Sequence, residues 1–324
     1  AYAAERVIDA RGGVVQPGFV DCHVHMSQHL GRGTIPDTWP EEREHDQWLP
    51  YWTSMDEEDA RCSAMLSCLE MVRNGTTLFC DSGARFSGEQ NADIANQVGL
   101  RGMVGEVCWD RPPHEAVGVG DTDACVRRLE RLVQALPPGP ETRVWAGVGI
   151  SGMGACSDRL IVAAKQVAGR HGVAMEMHQS FGDGDVARFR QQGSGREAVE
   201  HLGKLGVLGP DLILIHMIRT QAVEVPLLAA SGTHVVHCPA ASTRVAMSAS
   251  RVGRFPEMVD AGVNVALGSD SGNYSDYFDV GRQAYLAATL HREARGEMPT
   301  ITAEAALEMA TLNGTHALGV DDRL

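Results

Sequence analysis

Short apolar runs rich in β-branched residues recur along this chain, separated by longer stretches in which apolar positions return every three or four residues. The runs are "GFVDCHV" over 18–24, "TTLFC" over 76–80, "LRGMVGEV" over 100–107 and "RVWAGVGI" over 143–150. They continue with "VAMEMH" over 173–178, "LILIH" over 212–216, "HVVHC" over 234–238 and "NVALGSD" over 264–270. Each has the length and makeup of a buried strand. The clearest helical stretch is 122–136, where Val126, Leu129, Leu132, Val133 and Leu136 fall on one face. Further helices are predicted over 56–73, 158–171, 195–205, 221–230 and 279–295.

Eight strands, each followed by a helical segment, predict an α/β fold with a parallel (β/α)8 TIM-type barrel; a doubly wound open sheet is the alternative. No Gly-rich phosphate loop follows the first strand. There is no internal repeat or long linker, and "LPPGPE" at 136–141 reads as a loop. A length of 324 residues suits one such barrel.

Composition narrows the function. The formal net charge of -14 argues against a nucleic-acid surface, which needs clustered Lys and Arg. Only two lysines occur, Lys165 and Lys204. No cluster of arginines stands out along the chain, so a phosphorylated substrate is not favoured. No apolar run is long enough for a membrane span. Eight cysteines without C-x-x-C spacing read as free thiols in a reducing cytoplasm.

The chemistry lies at the predicted strand ends, because a barrel presents its active site at the C-terminal mouths of its strands. The first strand ends in His23 and His25, the fifth in His178, the sixth in His216 and the eighth in Asp270; the seventh carries His237. Residues i and i+2 of a strand face one side, so His23 and His25 project together. Taken singly, each of these is ordinarily a hydrogen-bonded structural residue, and Asp270 in "GSDSG" suits a turn. Taken together, imidazoles and a carboxylate converging at one mouth predict a site for a divalent metal ion. The other histidines (29, 45, 114, 171, 201, 234, 291 and 316) have no such placement and read as surface or structural. Gln28, Trp48, Trp52, Trp109, Met153, Phe181, His237 and Asn273 follow strand ends and are expected to bind substrate. Their aromatic content suits a flat or apolar small molecule.

The segments "PGFVDCHVH", "RNGTTLFCD", "LGVLGPDLILIH", "SGTHVVHCPAAS", "MVDAGVNVALGSDS" and "EMATLNGTHALG" resemble the amidohydrolase superfamily. Within it they are most similar to the branch of hydrolytic deaminases and triazine chlorohydrolases. The resemblance runs from Val14 to Gly319. It implies that His23, His25, His178 and Asp270 hold one divalent ion, zinc first, with iron, cobalt or manganese as alternatives. It implies that His216 orients the attacking water and that Asp270 also takes its proton. Relatives with two metals bridge them by a carboxylated lysine at the fourth strand; "VGISGMG" at 148–154 has none, so one ion is expected.

The implied reaction is hydrolysis of a non-peptide C–N bond in a small heterocyclic or carbamate-like molecule. Deaminases of the branch carry Glu three residues after the fifth-strand histidine, where this chain has Phe181. That keeps two alternatives open: a chloride or thiol leaving group, and a non-catalytic metal-binding barrel. Such relatives build a small β-sandwich from segments flanking the barrel. Residues 1–15 and 318–324 are expected to be its remnants, leaving 1–324 as a single barrel with the sandwich largely absent. Homo-oligomerisation is expected from the resemblance alone.

Overall fold

The computed structural model describes every residue except 1–4, 35, 39–41, 43, 113, 115, 116, 118, 119, 138, 153, 193, 194 and 324. Among the described residues the strands are β1 (Phe19–Val24), β2 (Thr76–Ala84), β3 (Arg101–Glu106), β4 (Val144–Ala146) and β5 (Val148–Gly152). They continue as β6 (Met175–Gln179), β7 (Leu212–His216), β8 (His234–His237) and β9 (Val265–Leu267). All pair in parallel, in the orders β1-β2-β3-β4 and β5-β6-β7-β8-β9.

The run predicted as a single fourth strand is divided at Gly147. The Gly147 N–H donates to the Val104 carbonyl (2.8 Å), whereas the next N–H, of Val148, donates to Ala174 on the other side (3.0 Å). One stave thus joins both sheets. At the far edge β1 meets the chain just after β9 through a parallel bridge between Val24 and Asp270. Eight staves with helical connections make this the (β/α)8 architecture.

Parallel strands covered on both faces are apolar throughout, and β7 shows how the two faces divide. Ile213 and Ile215 join Val20, Cys22, Leu78 and Val236 in the barrel interior. Leu212 and Leu214 face outward and pack with Leu160, Val167 and Leu228 of the surrounding helices. The interior is therefore a packed core, and the mouth above it is where polar groups can gather.

The helices begin where the chain offers caps. Asp56 and Asp59 form a capping box at Glu57–Arg73, whose first turn holds three carboxylates and whose last holds Arg73. Asp121 accepts the Ala124 N–H at the start of Thr122–Ala135 (2.7 Å). Asp158–His171 runs from a Ser157 cap to Gly172 at φ 65°. The helix expected over 221–230 is a 3-10 turn, Ala222–Glu224, followed by Val225–Ser231, with a proline in the latter's first turn. Gly88–Val98 and Asp183–Gln192 were not predicted as helices; both are short, and the latter opens on "DGD", which reads locally as a turn. No helix among the described residues is long and apolar enough to cross a membrane.

Two glycines give opposite expectations. A Cβ on Gly268 would stand 2.7 Å from the His23 Cβ, so Gly268→Ala should lower the urea midpoint by the equivalent of about 1–3 kcal/mol. Gly169, inside Asp158–His171, has nothing within 4 Å of such an atom, and Gly169→Ala should raise stability by roughly 0.5–1 kcal/mol.

Candidate metal centre and active site

The first and last staves assemble the centre by exchanging backbone hydrogen bonds. The Asp270 N–H donates to the His23 carbonyl (2.8 Å), and the His25 N–H donates to the Asp270 carbonyl (3.2 Å). Two buried carboxylates brace this junction. Asp21 accepts the Ser269 N–H (2.8 Å), and Asp81 accepts the Met26 N–H (3.1 Å) and the Asn91 amide (2.7 Å). Burial pushes the Asp21 carboxyl up to about 6 and the Asp81 carboxyl up to about 7. Asp270 (φ 68°) and His216 (φ 74°) both stand in the left-handed region, which is uncommon for residues other than glycine.

Around this junction the side chains converge. His25 Nε2 lies 3.2 Å from His178 Nε2. Asp270 Oδ1 lies 3.6 Å from His25 Nε2 and 3.7 Å from His23 Nε2; Asp270 Oδ2 lies 3.9 Å from His216 Nε2. The ligand atoms of His23, His25 and His178 fall within 4.8 Å of one another, as do those of His23, His216 and Asp270. Two ligand atoms each about 2.1 Å from one ion stand roughly 3.0–3.5 Å apart, close to the spacing here.

The donor set fits a divalent cation in its chemistry as well. Both ring nitrogens of His23 are buried without a hydrogen-bond partner. Burial, with the neighbouring histidines adding to it, drives His25 down to about 3 and His178 well below the ordinary range. Burial likewise lowers His216 to about 3. These rings are neutral near pH 7, the form that ligates. For His23 burial works the same way, but Asp270 and Glu176 outweigh it and raise the ring to about 9. Burial would raise Asp270, yet His23 and the other imidazoles hold it well below the usual carboxylate range. A buried anion among imidazoles, with one of them holding a proton, is a place where a cation can replace that proton.

A cavity of about 590 Å³ opens onto His25, His178, His216 and Asp270. Gln28, Trp48, Trp52, Trp109 and Phe181 all line it. Trp48 donates to Gln28 (3.3 Å) and stacks on Trp52 (5.2 Å between rings), and Phe181 lies 4.3 Å from the His216 ring. Two expected substrate residues are placed elsewhere. His237 is buried beneath the mouth, stacked on Phe255 at 3.8 Å, because helix Phe255–Asp260 covers it. Asn273 is fully buried against the turn at Gly31. Met153 lies outside the described residues.

Several groups escaped the sequence reading. Asp21 precedes His23 by two, and Glu176 precedes His178 by two. The alternation that paired His23 with His25 could have found both. Arg188 and Arg219 line the cavity, paired with Asp185 (2.6 Å) and Asp183 (2.7 Å). A second cavity of about 370 Å³, sharing Trp52 and Trp109 with the first, is lined by Arg85, Arg128 and Arg131. Arg128 and Arg131 stand one turn apart on Thr122–Ala135, in "RRLER", so the sequence did carry part of this cluster; Arg85, Arg188 and Arg219 join from elsewhere in the chain.

The chain matches the Amidohydrolase family over residues 14–324. It is 32% identical over 324 residues to a 5-methylthioadenosine/S-adenosylhomocysteine deaminase of Syntrophobacter fumaroxidans, covering 100% of this chain and 71% of that protein. Against a 5'-deoxyadenosine deaminase of Methanosarcina mazei the identity is 28% over 319 residues, with 98% and 71% covered. A zinc-bound adenosine deaminase from Xanthomonas campestris superposes with a TM-score of 0.85 at 25% identity, over 95% of this chain and 68% of that one. An atrazine chlorohydrolase from Arthrobacter aurescens TC1 with zinc superposes at 0.86 with 22% identity, over 94% and 71%, a likeness of fold.

The centre should take up about one equivalent of zinc per chain, and His178→Ala should lower the bound fraction sharply, by elemental analysis. Because the ion displaces the proton from His23, whose folded value is about 9, affinity should rise with pH. One proton released per ion predicts about tenfold tighter binding per unit between roughly pH 6 and 8. Chelator competition across that range measures the slope; a flat profile contradicts it.

Proposed function

This chain belongs to the amidohydrolase family, metal-dependent hydrolases of non-peptide C–N bonds, and we propose that it removes an exocyclic amine from a flat heterocycle. The supporting observation is the cavity: Trp48, Trp52, Trp109, Phe181 and Tyr274 line a slot whose floor is His25, His178, His216 and Asp270. Flat aromatic walls suit a planar ring held by stacking. The relatives at 28–32% identity are named as deaminases of adenosine compounds, which suits a purine nucleoside as the first substrate to test.

We assign His23, His25, His178 and Asp270 as the residues that hold one divalent ion, zinc being the ion of the solved relatives. When bound, such an ion polarises a water and brings its pKa toward neutrality. Asp270 is ionised and buried 3.9 Å from His216 Nε2, so it accepts the proton from the attacking water. His216, held neutral, orients that water. The other carboxylates lining the described cavity, Asp183 and Asp185, are paired with arginines. Asp270 therefore also returns the proton to the departing nitrogen, a role that Phe181 cannot fill. The eight free cysteines, seven of them buried, support a reducing, cytoplasmic setting.

Phe181 favours a second reading, departure of chloride, which needs no proton. Incubating the zinc-loaded protein with adenosine, 5'-methylthioadenosine, guanine and a chlorotriazine separates the two. Ammonia release supports the deaminase reading; chloride release alone supports the second; neither product from any of them counts against both. Asp270→Asn should lower turnover by about 10²- to 10⁴-fold or more, whereas a barrel that only binds would keep its ligand affinity.

A further inference from the structure

We propose that Glu176 is the outer carboxylate of the metal centre, accepting the Nδ1–H of His23 so that its Nε2 faces the ion, and supplying the charge that balances it. The inference rests on the metal-centre reading above. Glu176 shares the inner face of β6 with His178, two residues on, and is 1% exposed. Its Oε2 accepts the Cys80 thiol (3.3 Å) and stands 3.9 Å from His23 Nδ1. Its Oε1 is buried without a hydrogen-bond partner, and His23 is its one ionic neighbour among the described residues.

The geometry of the His23 ring then assigns its proton. Nε2 faces Asp270 and the other ligand atoms, while Nδ1, across the ring, faces Glu176. A neutral imidazole that ligates through one nitrogen carries its proton on the other, and a ligating histidine characteristically donates that proton to a carboxylate or carbonyl. The separation of 3.9 Å is longer than a hydrogen bond, and the proposal requires the pair to close to hydrogen-bond distance when Nε2 is ligated. Charge points the same way. The imidazoles that ligate are neutral, so a dication held by Asp270 alone would keep a net charge, and Glu176 is a second acidic side chain that faces His23. Among the described residues no lysine or arginine is paired with Glu176, and His23 is the basic side chain that faces it.

Glu176→Gln keeps size and shape and removes the charge. In chelator competition its zinc dissociation constant should rise about 10- to 100-fold over the parent, with Glu176→Asp falling between. A space-filling role alone would change the thermal midpoint and leave zinc affinity alone; a dissociation constant within about twofold of the parent overturns the proposal. Should the variant not fold, 15N spectra of the histidine-labelled, zinc-loaded parent decide. A His23 ring protonated at Nδ1 and ligated at Nε2 supports the assignment, and the opposite tautomer overturns it. Failure of the underlying reading looks different, because then the parent itself takes up no zinc.

Discussion

The exchange of backbone hydrogen bonds between His23, His25 and Asp270 is the constraint on which the rest depends. It seals the first stave to the chain leaving the last one, so closing the barrel and building the centre are one event. Residues 248 apart in sequence, Asp21 and Ser269, are drawn into contact by the same seam. The seam tolerates little bulk, since Gly268 lies directly against His23. It also carries strain, for Asp270 leaves the strand at a positive φ. Backbone strain persists where the surroundings over-determine it, and here the surroundings are a closed sheet.

Burial then decides the electrostatics. The rings of His25, His178 and His216 are desolvated enough to remain neutral, while Asp270 remains an anion among them. That combination is costly for a protein core and favourable for a cation. Asp21 and Asp81 differ from Asp270 in having backbone N–H groups and an amide as partners, with no cluster of imidazoles around them. Burial dominates there, and their carboxyls titrate far higher. The same residue type thus stays an anion among imidazoles in one place and braces the backbone in another.

The mouth shows how a shared scaffold acquires its own chemistry. Above the centre, aromatic side chains from the loops after the first, third and fifth staves form the walls, and the cavity's remaining acids are neutralised by Arg188 and Arg219. Phe181 packs on the His216 ring at the edge of the same mouth. Functions on a common barrel differ through such loop substitutions, since the strands are committed to the core.

The sequence by itself determined the strands, most of the long helices and the convergence of His23, His25, His178, His216 and Asp270. Those features rest on local rules: apolar period, alternation along a strand, and the placement of polar groups at strand ends. Gln28 and the three tryptophans also followed, because loops after barrel strands face the mouth. Tertiary structure decided what depends on neighbours distant in sequence. His237 stands at a strand end as His216 does, yet a later helix covers it with Phe255, and nothing near residue 237 announces that. Asn273 comes three residues after Asp270 but is buried against Gly31. The second cavity brings Arg85, just after β2, to Arg128 and Arg131 of Thr122–Ala135, and the contact between Glu176 and His23 joins two staves. Period and alternation say which face a side chain takes; only the closed barrel says what stands opposite it.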